Sequence, residues 1–191
     1  TLDAMDAHVD DWRDAVKGKQ RGIFSFDDVA ALKIKNLKKR IYTDIESIPA
    51  WKMKECIYKG VDDYEYLYDE WKELNVGDRW GNNGWSAFFK NSFDMPARFK
   101  GKKVTLNVYF GGDSLLTLNG EPYQGLDPFR NSVLLTDCAK GDEHYDVDIE
   151  SYYVWHSNES TVKTLSCSFI GVVDPVIEEI YWDFKAVFNA L

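Results

Sequence analysis

The sequence contains little of what metal and disulfide sites require. Its three histidines and three cysteines are all widely separated along the 191 residues: His8, His144, His156, Cys56, Cys138 and Cys167. Neither set has the close spacing of a zinc site, and an odd number of scattered cysteines does not predict a disulfide framework. We therefore predict no metal site in this chain. We interpret the cysteines as free, buried thiols of a cytoplasmic protein.

Familiar catalytic patterns are also missing. No Gly-x-Ser-x-Gly motif and no phosphate-binding loop occur. The paired carboxyl groups of a glycosidase must face each other, whereas neighbours such as Asp62 and Asp63 point in different directions. Asp146, Asp148 and Glu150 share one face of a predicted strand, which favours a solvated sheet face, with a calcium site as the alternative. We predict no catalytic residue.

Basic side chains are outnumbered by acidic ones. The chain has 23 Lys and Arg against 32 Asp and Glu, a net charge of −9. A field of this sign repels phosphate backbones and anionic lipid, so we expect neither nucleic acid nor a membrane as a partner. No signal peptide and no apolar run of membrane-spanning length occur. A neutral sugar is unaffected by the charge.

What the sequence does contain is a series of short strands between helical segments. Apolar residues at three- and four-residue steps predict helices over residues 1–46. Residues 47–173 show alternating patterns and turn signals, as in Val104, Leu106 and Val108. They predict an antiparallel, jelly-roll-like (galactose-binding-like) β-sandwich. The fold class is therefore mainly β with flanking helices.

Residues 174–191 predict an amphipathic helix. Asp174 is a suitable N-cap, Pro175 fits the first helical position, and an apolar stripe runs from Ile177 to Leu191. The stripe must pack either on the N-terminal helices or on a partner outside this chain, and if exposed it promotes association into a homo-oligomer. The chain begins at Thr1 and ends within the pattern, so we expect a piece of a longer protein.

One stretch, from Ser114 to Thr136, predicts a hairpin that leads into a polar loop. Asn119-Gly120 favours a two-residue type I′ turn, and Asp127-Pro128 favours a corner. Planar polar groups beside an aromatic ring suit a sugar, so the candidates for substrate binding are Trp80, Asn119, Gln124, Asp127 and Arg130. The alternative is structural: Asn119 forms the turn, Asp127 caps its own corner, and Arg130 pairs with Asp127.

With its flanks, this stretch resembles the N-terminal β-domain of α-mannosidases of glycoside hydrolase family 38. The resemblance rests on Leu74-Asn-Val-Gly-Asp-Arg-Trp-Gly81, on the order Asn119-Gly120, Gln124-Gly-Leu-Asp127, Arg130 and Val133-Leu-Leu-Thr136, and on Ala139-Lys-Gly-Asp142. It covers about residues 74–153. One departure is Asn82-Asn83-Gly84, where the family often has charged residues.

The resemblance implies that the whole enzyme hydrolyses terminal α-mannosidic linkages with retention and uses a divalent metal, usually zinc. Its metal and nucleophile would belong to a catalytic domain beyond Leu191, which would be the main partner of this chain. The domain itself would be inactive and would support assembly or the positioning of a mannoside. The alternative function is a free-standing carbohydrate-binding or protein-interaction module, since a sandwich fold alone does not decide.

Overall fold

The structure, a computed structural model, describes residues 26–152 and 162–190. Within these ranges, two α-helices, thirteen strands and one 3₁₀ helix follow one another along the chain. Their bounds are α1 (Phe26–Arg40), β1 (Tyr42–Ser47), β2 (Trp51–Gly60), β3 (Asp63–Tyr66), β4 (Lys72–Leu74), β5 (Arg79–Trp80), β6 (Trp85–Asp94), a 3₁₀ helix (Ala97–Phe99), β7 (Val104–Tyr109), β8 (Asp113–Leu118), β9 (Glu121–Leu126), β10 (Ser132–Thr136), β11 (His144–Tyr152), β12 (Lys163–Thr164), β13 (Cys167–Val173) and α2 (Pro175–Ala190).

The strands form two facing sheets, and neighbouring strands within each are antiparallel. The four-stranded sheet has the order β1-β13-β7-β10. The seven-stranded sheet has the order β3-β2-β6-β11-β8-β9, with β4 also paired to β2. A short ribbon joins β5 to β12. The predicted antiparallel β-sandwich is confirmed.

Aromatic rings fill the space between the sheets. Phe89 of the seven-stranded sheet stacks on Phe110 with 3.8 Å between ring centroids, and Trp51 meets Phe110 edge-on at 5.2 Å. The Trp51 indole N–H donates across the sandwich to Ser168 Oγ at 2.8 Å, so the polar atom of this buried side chain has a partner. Burying each such ring contributes about 1.5–3 kcal/mol to folding. This shared core joins the two sheets into one unit.

The helices pack together at one end of the four-stranded sheet. Ile41, Val173 and Tyr181 form a buried cluster that joins the end of α1, the end of β13 and α2. Close by, the Tyr42 ring lies against Gly171, where an added Cβ would come within 2.5 Å of a ring carbon. Glycine at 171 therefore lets β1 and its tyrosine approach β13. No described helix is long and apolar enough to cross a membrane.

Two local predictions need correction. The helix expected to continue to about residue 46 ends at Arg40, and Tyr42–Ser47 forms β1, because pairing with β13 outweighs the helical pattern around Ile41. Cys138, predicted as buried, is exposed in the turn after β10, whereas Cys56 and Cys167 are buried as expected. The predicted helix within residues 1–25 lies outside the described residues. The division of the chain at residues 46 and 173 stays a prediction.

Several predictions of local structure are confirmed. Asn119 and Gly120 have φ values of 52° and 84°, as a type I′ turn between β8 and β9 requires. Asp174 caps α2, because its Oδ1 accepts the backbone N–H groups of Val176 and Ile177 at 3.0 and 3.1 Å. Each of these features is decided by contacts within a few residues.

Candidate functional site

A groove of about 170 Å³ lies between the helices and the loop that follows β9. We call residues 127–132 the corner loop. Gln124 and Phe129 line the groove from the side of this loop, Tyr42 from its floor, and Trp182 from α2. The groove therefore brings the predicted polar stretch together with the two helices, which the sequence did not indicate.

The corner loop is held by a single carboxylate. Asp127 Oδ1 accepts the backbone N–H groups of Phe129 and Arg130 at 2.7 and 2.8 Å, and its Oδ2 accepts Arg130 Nε at 2.8 Å. Burial alone would raise the pKa of Asp127, but these hydrogen bonds and the guanidinium charge outweigh it and lower the pKa below its usual value. The structural interpretations of Asp127 as a cap and of Arg130 as its partner are confirmed.

The polar groups on the floor of the groove are bonded to one another. The Gln124 side-chain amide donates to the Ser132 carbonyl at 3.2 Å. The Tyr42 hydroxyl donates to Oδ1 of the fully buried Asn107 at 2.6 Å. Burial raises the pKa of Tyr42, so its hydroxyl remains protonated and remains a donor at neutral pH. These two hydrogen bonds hold Gln124 and Tyr42 in place on the floor.

Aromatic rings stand at the rim of the groove. Phe129 is 66 % exposed at the tip of the corner loop, and Trp182 is half exposed on α2. Neither residue was among the candidates predicted from the sequence. Phe129 lies within the stretch from Ser114 to Thr136, and its apolar ring in a polar turn was the available signal. Exposed rings over a polar floor suit either a small uncharged ligand or a side chain of a neighbouring domain.

Two of the predicted site residues lie elsewhere. Trp80 is 2 % exposed, and its indole N–H donates to the Phe110 carbonyl at 2.7 Å, so it belongs to the core and offers no stacking surface. Asn119 lies at the tip of the β8–β9 hairpin, where its Oδ1 accepts the Asp146 N–H at 2.9 Å. Only Gln124, Asp127 and Arg130 of the five lie together at the corner loop.

The titratable residues of β11 make contacts on an exposed sheet face. His144 Nδ1 lies 2.7 Å from Asp94 Oδ1, and Nε2 lies 3.4 Å from Asp146 Oδ1. Farther along the strand, Asp148 pairs with Lys90 at 3.1 Å. Among the residues that the structure describes, no three His, Cys, Asp or Glu side chains are grouped closely enough to hold a metal ion.

Comparison with known proteins gives one family match. The family model described as "Alpha-mannosidase, jelly roll domain" matches residues 44–186, from β1 into α2. Alpha-mannosidase G of Dictyostelium discoideum is 26 % identical over 97 residues, which are 48 % of this chain and 9 % of that protein. Alpha-mannosidase 2C1 of Homo sapiens is 31 % identical over 75 residues, which are 38 % of this chain and 7 % of that protein. The chain therefore spans only a small part of either relative.

Solved structures with similar folds are more distant. A β-glucuronidase from Ruminococcus gnavus in complex with C6-substituted uronic isofagomine has a TM-score of 0.46 and 12 % identity, covering 70 % of this chain and 30 % of that one. A glycosyl hydrolase family 2 member from Bacteroides cellulosilyticus DSM 14838 has a TM-score of 0.46 and 12 % identity, covering 69 % and 21 %.

Proposed function

We propose that this chain, which belongs to the family of α-mannosidase jelly roll domains, is the N-terminal, non-catalytic domain of an α-mannosidase. The observation that carries the proposal is the family match, which includes both sheets and most of α2. The whole enzyme would hydrolyse terminal α-mannosidic linkages with retention. We place it in the cytoplasm, where three free cysteines fit a reducing environment.

The catalytic groups would lie in another part of the same polypeptide. Retaining hydrolysis needs a nucleophilic carboxylate and a carboxylic acid about 5 Å apart, and a divalent metal, zinc in our proposal, would stabilise charge at the reacting centre. The described residues of this chain offer no ligand set for such an ion. The proposal therefore assigns no step of the reaction to this domain.

The role of this domain would be assembly with the catalytic domain. Val176, Ile180, Phe184 and Val187 follow one another at helical spacing on α2 and are between 37 % and 63 % exposed. An apolar face of this size on a helix favours contact with another surface. We therefore propose that α2 docks on the catalytic domain.

The corner loop would support the same contact. Both carboxylate oxygens of Asp127 and the side-chain N–H of Gln124 already bond within the loop and the neighbouring strand, which favours a bracing role over direct sugar contact. Phe129 and Trp182 line the groove with exposed rings. They would receive an apolar side chain of the catalytic domain.

The experiment is an assay of the purified 191-residue chain on p-nitrophenyl α-mannoside, with and without added zinc. We expect no release of nitrophenol under either condition, while an intact α-mannosidase in the same buffer supplies the positive control. Metal-dependent turnover by this chain would contradict the proposal. Sequencing the gene beyond Leu191 tests whether a catalytic domain belongs to the same polypeptide, because the proposal requires an open reading frame that encodes one.

A further inference from the structure

The outer face of the seven-stranded sheet carries aromatic side chains that neither the core nor the groove uses. In the register of the sheet, Tyr58 lies opposite Tyr64, and Lys54 lies opposite Phe88. Cys56 pairs with Tyr66. Since alternate residues of β2 point to the same face, all of these side chains lie on the side opposite Trp51 and Met53 of the core. We call Tyr58, Tyr64, Tyr66 and Phe88 the sheet cluster.

The rings of the sheet cluster contact one another. Ring centroids are 5.7 Å apart for Tyr58 and Tyr64, 4.9 Å for Tyr64 and Phe88, and 6.2 Å for Tyr66 and Phe88. Tyr58 and Tyr66 are 47 % and 46 % exposed, whereas Tyr64 and Phe88 are half-buried between them. These contacts, two edge-on and one tilted, fix the rings before any ligand arrives, so little side-chain entropy is lost on binding.

Polar groups surround these rings. The Tyr64 hydroxyl donates to Glu150 Oε1 at 2.7 Å, and Glu150 lies directly opposite Phe88 on β11. Lys54 Nζ lies 4.3 Å from the centre of the Tyr66 ring. The hydrogen bond to Glu150 raises the pKa of Tyr64, so its hydroxyl stays protonated at neutral pH. The face therefore combines apolar ring surfaces with donors and acceptors at their edges.

The size of this surface helps to identify its ligand. Tyr152 of β11 is also 47 % exposed and lies opposite Ser86 of β6. The aromatic surface therefore extends over four neighbouring strands, β3, β2, β6 and β11. At about 4.8 Å between strands this is roughly 14 Å, the length of a short oligosaccharide. Five side chains of about 200 Å², at most half exposed, offer less than about 500 Å², below the roughly 800 Å² per partner of a standard protein interface.

The chemistry of the surface points to the same class. A pyranose presents a flat C–H face that packs on an aromatic ring and hydroxyls at its edge that bond carboxylates, ammonium groups and phenols. The carboxylate of Glu150, in a chain with a net charge of −9, disfavours nucleic acid and anionic lipid. We propose that the sheet cluster binds a neutral oligosaccharide, with Tyr58 and Tyr66 stacking on its sugar rings and Glu150 and Lys54 bonding its hydroxyls.

The test is a titration of the isotope-labelled 191-residue chain with linear α-linked mannotriose and, separately, with cellotriose, followed by backbone amide NMR shifts. We expect saturable shifts confined to β2, β3, β6 and β11. Tyr66→Ala and Tyr58→Ala should each raise Kd about two- to tenfold, the loss expected for one stacked ring. Both positions are at the surface, and an unchanged thermal melt confirms that each variant is folded.

Phe129→Ala is the matched control, because it removes an even more exposed ring outside the sheet cluster. It should leave Kd unchanged. Shifts that map to the corner loop, or weaker binding in Phe129→Ala alone, would overturn the proposal, as would no saturable shift with either trisaccharide. The proposal would also be overturned if the sedimentation coefficient of the free chain rose with concentration and this rise were lost in Tyr66→Ala. The sheet cluster would then be a contact between two copies of the chain.

Only the choice of mannose as a probe rests on the proposed function. Binding of cellotriose without mannotriose would support the oligosaccharide site and count against a mannoside as its ligand. The aryl mannoside assay is independent of both results, because the sheet cluster is given no part in hydrolysis.

Discussion

At the scale of single residues, Glu55 shows how a carboxylate is accommodated inside the sandwich. It is only 8 % exposed. Its Oε1 accepts the Gly81 N–H at 2.6 Å, and its Oε2 accepts the Tyr68 hydroxyl at 3.2 Å. Burial, together with the adjacent carboxylate, raises the pKa of Tyr68 to about 12, so this donor stays protonated. Glu55 therefore ties two loops to β2.

We expect Glu55→Ala to lower the free energy of unfolding by about 2–4 kcal/mol, because a buried donor and a partly buried one lose their acceptor. Glu55→Gln should cost less, since its amide oxygen still accepts one of the two bonds. Urea denaturation followed by tryptophan fluorescence measures both changes. Glu65→Ala is the control, because Glu65 makes an exposed ion pair with Lys59. Equal stabilities of Glu55→Ala and Glu65→Ala would refute this role.

His144 makes a contribution to stability that depends on pH. The hydrogen bond to Asp94, followed by the charge of Asp146, raises the pKa of His144 above its ordinary 6.5. A raised pKa in the folded state stabilises the fold below the unfolded pKa, and this stabilisation is lost as the pH rises through the folded pKa. We expect the urea midpoint of the wild type to exceed that of His144→Gln at about pH 5.5, with the gap closing by about pH 8.5.

Asp94→Asn should reduce the dependence on pH as well, because it removes the partner that raises the pKa most. If the gap between wild type and His144→Gln is the same at both pH values, the ion pairs of His144 do not contribute to stability.

Residue roles were predictable from sequence where they are local. Asp127 and Arg130 are three positions apart, and their pairing follows from the geometry of a corner. The burial of Trp80 was not predictable from the sequence, because it depends on contacts with Phe89 and Phe110, which are distant in the sequence. A tryptophan beside glycine looks alike in sequence whether it faces solvent or core.

At the scale of elements, the prediction succeeded for elements with strong internal patterns. The β8–β9 hairpin, β11 and α2 each carry their own turn, alternation or cap. It failed for β1, which was assigned to the preceding helix, and it did not identify β3, β4, β5 and β12. β1, β5 and β12 are defined only by pairing with strands distant in the sequence, whereas β3 and β4 are short and lie beside β2 at the edge of the sheet.

The candidate sites also differ in whether contacts local in the sequence are enough to predict them. The corner loop follows from adjacent residues, whereas the groove requires α2 to fold back over the end of the four-stranded sheet. The sheet cluster likewise depends on the register between β2, β3 and β6, which bring Tyr64 over Phe88 although they are 24 positions apart in the sequence. A surface assembled from three strands has no contiguous motif.

At the scale of the whole molecule, the net charge of −9 opposes association of copies, while the apolar face of α2 favours it. These four side chains are about half exposed, so burying what remains exposed is worth about 3–6 kcal/mol, half of the 1.5–3 each for full burial, before the cost of association is subtracted. Because charge repulsion is screened by salt, the balance between the two effects depends on ionic strength.

We expect the free chain to self-associate, and to do so more strongly in salt, when sedimentation velocity is measured at low and at moderate ionic strength. Phe184→Asp combined with Val187→Asp should make it monomeric, because two charges then interrupt the apolar face of α2. Val61→Asp combined with Val76→Asp adds the same two charges at exposed apolar sites in turns, and this control should still associate. If both double variants become monomeric, net charge rather than the α2 face sets the association. If the unmodified chain stays monomeric at every concentration and ionic strength, the face is stable in water, and its proposed docking on a catalytic domain loses its physical basis.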